Sequence, residues 1–79
     1  MEDEIIMEAV ISSNVAQIGF SSKTGTMRIK FNSGGLYETI GASQEDFDAF
    51  RLSKSKGQHF NKILKTAKSL NWKPVIKQG

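Results

Sequence analysis

The stretch TMRIKFNSGGLYETI, residues 26–40, decides the fold. Met27, Ile29 and Phe31 alternate with Arg28 and Lys30, and a period of two is the pattern of a strand with one buried and one wet face. The NSGG that follows holds two glycines able to take positive φ, and LYETI then resumes an extended pattern. The stretch is therefore a β-hairpin. With Ser33, Gly34 and Gly35 as a three-residue loop, Phe31 faces Tyr37 and Ile29 faces Thr39, while Lys30 and Glu38 share the open face. A register one residue away would bury the Glu38 carboxylate beside Phe31, so the first register is preferred. Tyr37 is then expected on the core side.

Working outward towards the N-terminus, NVAQIGF (residues 14–20) puts Ala16, Ile18 and Phe20 on one side at period two, and SSKTG reads as the turn into the hairpin. Residues 1–11 form an acidic segment that either frays or adds an edge strand. Past Gly41 the period changes. Ser43 followed by Asp46 is a capping pattern, the acids of QED complement the positive helix end, and Phe47 and Phe50 share a side, which predicts a short helix ending near Ser53. Ser55 is placed to cap a second helix on which Phe60, Ile63, Leu64, Ala67 and Leu70 recur at helical spacing. At about 100° per residue, Lys62, Lys65 and Lys68 fall on the opposite side of that helix. Pro74 stops it soon after Trp72.

The expected fold class is α+β: a three-stranded antiparallel β-meander followed by two α-helices packed on one face, because neither layer buries its apolar side alone. Residues 12–72 make the domain and 73–79 a C-terminal tail. The expected core is Ile18, Phe20, Met27, Ile29, Phe31, Tyr37, Phe47, Phe50, Phe60, Ile63 and Leu64. No internal repeat or low-complexity linker interrupts it.

Composition narrows the function. A chain of 79 residues with no cysteine has neither a disulfide framework nor a thiolate metal site, in keeping with a reducing compartment. No apolar run approaches the roughly 18 residues of a membrane helix. MEDEIIMEAVI opens acidic where a signal peptide opens basic, so a cytoplasmic location is expected. The net charge of +3 conceals an asymmetry. Residues 1–50 carry eight acids against three bases, a net −5, whereas residues 51–79 carry eight bases and no acid, a net +8. A one-signed patch of that kind concentrates polyanions.

Four blocks, SSNVAQIGF, MRIKF, SGGLYET and SKSKGQHFNKIL, resemble the KTSC domain, a short module found at the C-terminus of some lysyl-tRNA synthetases and as a stand-alone bacterial or phage protein. The similarity runs from Ser12 to about Lys65. Ser55, Gly57, Phe60 and Asn61 stand where the family looks like S-x-G-x-x-F-N. Tyr37 matches the first aromatic of a central Tyr-x-Tyr, and Thr39 replaces the second. The resemblance implies the fold more than the role, RNA binding being only proposed for the family, and it leaves in doubt any ligand contact made through that second ring.

Catalytic chemistry is not indicated, so no catalytic residue is assigned. His59, the only histidine, has no nucleophile at hand and sits on a lysine-rich helix, where a packed or solvated ring is the plainer account. Glu45, Asp46 and Asp48 suit a helix start. SGG is too short for a phosphate loop of the Walker kind. No metal or cofactor is implied.

The remaining candidates concern binding. Lys54, Lys56, Lys62, Lys65 and Lys68, flanked by Arg51 and Lys73, form a basic face whose plain reading is a solvated helix surface; the lack of acids across 29 residues favours contact with the phosphates of RNA or DNA. Ser55 and Gly57, at the helix start, are read as structural, with phosphate held by free N–H groups as the functional alternative. Asn61 suits either a turn-closing hydrogen bond or a base-edge contact, and the former is favoured. Trp72 either covers the helix end or stacks a base. Nothing resembles a base-reading helix, so strong sequence specificity is not expected. The alternative function is a protein-interaction module, of the kind a phage-type protein uses to bind a host factor, through the sheet face of Arg28, Lys30, Leu36, Glu38 and Ile40 or the acidic N-terminus. The chain is expected to be a monomer or weak dimer, without membrane contact.

Overall fold

The computed structural model describes residues 5–68 and 70–75. One antiparallel sheet forms the first layer, its strands in chain order: β1 (Glu8–Ala9), β2 (Val15–Ser21), β3 (Thr26–Phe31), β4 (Leu36–Ile40) and β5 (Lys73–Pro74). Helix α1 (Gln44–Arg51) and the short helix α2 (Lys56–His59) form the second layer, and α2 runs directly into a π-helical turn, Phe60–Leu64. The α+β class and the antiparallel sheet are as expected, but among the described residues the sheet has five strands rather than three. Glu8 and Ala9 pair with Ile18 and Gln17 at one edge, and Lys73 and Pro74 pair with Glu38 and Tyr37 at the other. Residues 1–4 of the acidic segment and 76–79 of the expected tail lie outside the described residues.

The hairpin register also differs from expectation. Tyr37 lies opposite Ile29, and Thr39 lies opposite Met27. The Phe31 N–H donates to the Gly35 carbonyl at 2.8 Å, so the three loop residues are Asn32, Ser33 and Gly34. Gly34 takes the positive φ, +105°, that closes such a loop. Because the pairing shifts by two, every side chain keeps its face. What changes is the partner of Glu38: Arg28 donates to its Oε1 through Nη2 at 2.7 Å and Nε at 3.1 Å, in place of the expected neighbour Lys30.

In β2 a bulge intervenes between Val15 and Gln17, which oppose Phe31 and Lys30 respectively. The additional residue, Ala16, breaks the alternation read from NVAQIGF, and Val15 enters the core fully buried. Around it gather Ile18, Met27, Ile29, Phe50 and Leu64, with Phe47 stacked on Phe20 at 5.3 Å. The same face carries Thr39, fully buried, whose Oγ1 accepts the Asn71 N–H at 2.9 Å.

Helix α1 starts as its composition dictates. Ser43 Oγ accepts the Asp46 N–H at 3.0 Å and Asp46 Oδ2 accepts the Ser43 N–H at 3.1 Å, a reciprocal box that satisfies two orphan donors. The second helix does not follow its expected course. Ser55 is extended at the N-cap but its side chain makes no capping bond; instead the Ser53 hydroxyl bridges the Ser55 N–H and carbonyl. Past His59 the Lys65 N–H reaches back five residues to the Phe60 carbonyl at 2.7 Å. Such a widened turn rotates later residues away from positions computed at α-helical spacing. Ile63, expected in the core, is 54% exposed, while Leu64 takes the buried position.

Candidate functional site

Four aromatic rings from four parts of the chain meet along the seam between sheet and helices. Tyr37 on β4 meets Phe31 at the end of β3 edge-to-face, with centroids 5.9 Å apart. Phe31 meets Phe60 at 5.3 Å, and Phe60 meets Trp72 at 5.1 Å, each again near perpendicular. Edge-to-face pairs set the positive rim of one ring against the negative face of the next, which fixes their relative orientation as well as adding about 0.5–1.5 kcal/mol apiece. These rings wall an open groove of about 600 Å³. Its polar lining comes from Asn14, Asn61 and Lys65.

Each wall is held from outside the groove. The Trp72 indole N–H donates to the Leu64 carbonyl at 3.1 Å, using one of the acceptors a helix end leaves free. Thr39 anchors the preceding residue through the Asn71 N–H. The Asn14 loop is tied to the hairpin on both sides: its carbonyl accepts the Asn32 N–H at 2.8 Å, and Asn32 Nδ2 donates to the Ser12 carbonyl at 3.1 Å. Gly57 closes the floor. A Cβ there would run into the Asn14 side chain, so any residue larger than the glycine of the S-x-G pattern would have to displace Asn14. Among the described residues, the side-chain amides of Asn14 and Asn61 have no hydrogen-bond partner.

Tyr37, expected inside, faces the core side of β4 but stands at the groove mouth, 37% exposed. Edge strand β5 is too short to cover it. Asn61 is exposed at the rim. Thr39, which replaces the second family aromatic, is fully buried and holds the Asn71 N–H rather than lining the groove. Sequence reasoning did not single out Asn14 or Phe31 as lining residues. The signal for Asn14 was present, since it falls in the SSNVAQIGF block.

The bases do not form one stripe. Lys65 rims the aromatic groove, whereas Lys54 and Lys62 flank a shallow hollow beside His59 and Ile63. Lys68 and Lys73 are exposed. The Lys56 ammonium donates to the Ser53 carbonyl at 3.2 Å, and Arg51 pairs with Glu8 on β1 at 3.5 Å. Burial against the Phe50 ring, 5.7 Å from its own, holds the His59 pKa below the ordinary histidine value by desolvation. Among the described residues no group of three or more His, Asp or Glu side chains could hold a metal ion. No helix among them is long and apolar enough to cross a membrane.

Sheet, helices and groove together define a small α+β module, a five-stranded meander with its helices on one face. The chain belongs to the KTSC domain family, whose model matches residues 11–67. It is 41% identical over 53 residues to a lysine–tRNA ligase of Nostoc punctiforme; the match takes in 67% of this chain and spans about 9% of the length of that relative. A KTSC domain protein of Yersinia pestis has the same fold, with a TM-score of 0.83, 22% identity, and coverage of 91% of this chain and 99% of the other.

Proposed function

We propose that this chain is a non-enzymatic binding domain that associates with nucleic acid, RNA or DNA, through the lysines following α1, without strong sequence specificity. The observation that carries this is the charge of the second part of the chain: Lys54, Lys62, Lys65, Lys68 and Lys73 are exposed, and no acid lies between residues 51 and 79. Ammonium groups held at a surface without local counter-charges gain most from a polyanion, which arrives with releasable counterions. A similar segment within an enzyme named for a tRNA substrate is in keeping with this reading. The absence of cysteine suits a cytoplasmic setting.

The test is fluorescence anisotropy with labelled single-stranded and duplex DNA and RNA across a salt series. If about four phosphates are engaged on duplex, log affinity falls against log salt with a slope of about −3.6. Reversal of Lys62 and Lys65 to glutamate removes binding and leaves the circular dichroism spectrum intact. Flat anisotropy at low salt would overturn the proposal.

A protein-interaction role is the second reading, favoured by the outer face of the sheet. There Ile40 is 56% exposed, and Arg28, Lys30 and Leu36 line a second hollow. Binding through that face would survive the lysine reversal.

A further inference from the structure

We infer that the aromatic groove holds one unpaired nucleobase, packed against Tyr37 and Trp72, with its edge towards the amides of Asn14 and Asn61 and an adjoining phosphate at Lys65. This rests on the nucleic-acid reading above and gives it a binding mode: single strands are preferred to duplex. Three features of the groove select that occupant.

The first is chemical matching. An apolar side chain from a protein partner would fit the rings but leave two amides and an ammonium facing it without partners, which costs affinity. A nucleobase is a planar ring with donors and acceptors around its edge, and an amide offers both, so any of the four bases finds a match. Among the described residues, Lys65 supplies the only charged group lining the groove, and it is positive.

The second is size and shape. About 600 Å³ lies within the range of sites for small organic ligands, roughly 300–1,000 Å³. In a duplex both faces of a base are stacked and its pairing edge is occupied, so only a base free of its partner enters.

The third is pre-organisation. Tyr37 stands on β4 and Trp72 immediately precedes the neighbouring strand β5, whose Pro74 lies opposite Tyr37, and the Trp72 ring is pinned by its bond to Leu64. Ordering costs on binding are thereby reduced. Both rings retain accessible surface, Tyr37 the more.

Trp72 is the only tryptophan in the chain, so its emission reports on the groove alone. The experiment titrates the native protein with ten-nucleotide oligo(dU) and oligo(rU), and with duplexes of equal length, following both Trp72 fluorescence and probe anisotropy. Saturable quenching by the single strands, at affinities at least tenfold above duplex, is expected. Tyr37→Ala should weaken single-strand binding about tenfold and leave duplex binding unchanged. The ratio of oligo(rU) to oligo(dU) affinity assigns the sugar, since only RNA offers a 2′-hydroxyl. Lysine-dependent binding with static Trp72 emission and no effect of Tyr37→Ala would overturn the groove while leaving the phosphate contacts standing. Absence of any binding at low salt would overturn both.

Discussion

Thr39 and Asn71 are 32 residues apart in the chain, yet the Thr39 hydroxyl accepts the Asn71 N–H at 2.9 Å within the core-side layer. That bond ties the segment leading into β5 to the centre of the sheet. Thr39→Val removes the acceptor at nearly constant size and leaves the N–H facing an alkyl group. The expected cost is about 1–3 kcal/mol, read as a lower urea midpoint at unchanged slope. Trp72 emission of the folded variant should shift towards that of a more solvated indole. An unchanged midpoint would mean that water replaces the hydroxyl without penalty.

Gly57 and Asn14 form the second coupled pair. Alanine favours a helix over glycine by about 1 kcal/mol, yet at this position its methyl must displace the Asn14 side chain. Gly57→Ala is therefore expected to lower stability by about 1–3 kcal/mol, the usual range for overpacking. Asn14→Gly in the same background should recover most of the loss. A double-mutant cycle with coupling near zero would show that the two do not touch in solution.

His59 sets a pH dependence. Its folded pKa lies below the ordinary value of 6.5, so in the interval between the two the unfolded chain binds more protons. Its contribution to stability is fully present above pH 6.5 and is lost as the pH falls towards the folded pKa, with no further loss beyond it. His59→Gln should flatten that part of a plot of unfolding free energy against pH. If the native and substituted chains show the same slope there, His59 is not the group responsible.

Truncations to alanine should separate the true core from the expected one. Phe50 is fully buried, and Phe50→Ala should cost about 3–5 kcal/mol. Ile63 is more than half exposed, and Ile63→Ala should fall within about 0.5 kcal/mol of the native protein. Phe60, partly buried between two rings, belongs between these limits. Thermal unfolding distinguishes the three, since 1 kcal/mol moves the midpoint of so small a domain by about 4–8 °C.

These pairs mark what the chain made legible and what it did not. The start of α1 could be read from Ser43 and Asp46 because a capping box is complete within four residues. The alternation of β3 was legible for the same reason: its pattern is local. The hairpin register was not, because NSGG offers two adjacent glycines for the positive φ, and a shift of two leaves every residue on its own face. Hydrophobic patterning is blind to such a shift. Strands β1 and β5 are too short to have a period, and the turn at Phe60 departs from helical spacing through one long hydrogen bond. Of the groove, Tyr37, Gly57, Phe60 and Asn61 were visible as a family pattern. Their meeting with Asn14 and Phe31 is a product of tertiary folding that no spacing encodes.

The shortness of the two outer strands has a consequence for behaviour in bulk. A sheet edge recruits other chains through a row of unpaired backbone groups, and among the described residues each outermost strand here is only two residues long. Glu8 on one edge is charged and engaged with Arg51, while the other ends in Pro74, whose nitrogen carries no hydrogen to donate. Along β5 the row of backbone groups lacks a donor at Pro74, and at β1 a neighbouring molecule would meet the Glu8 carboxylate, two features that disfavour edge-to-edge pairing.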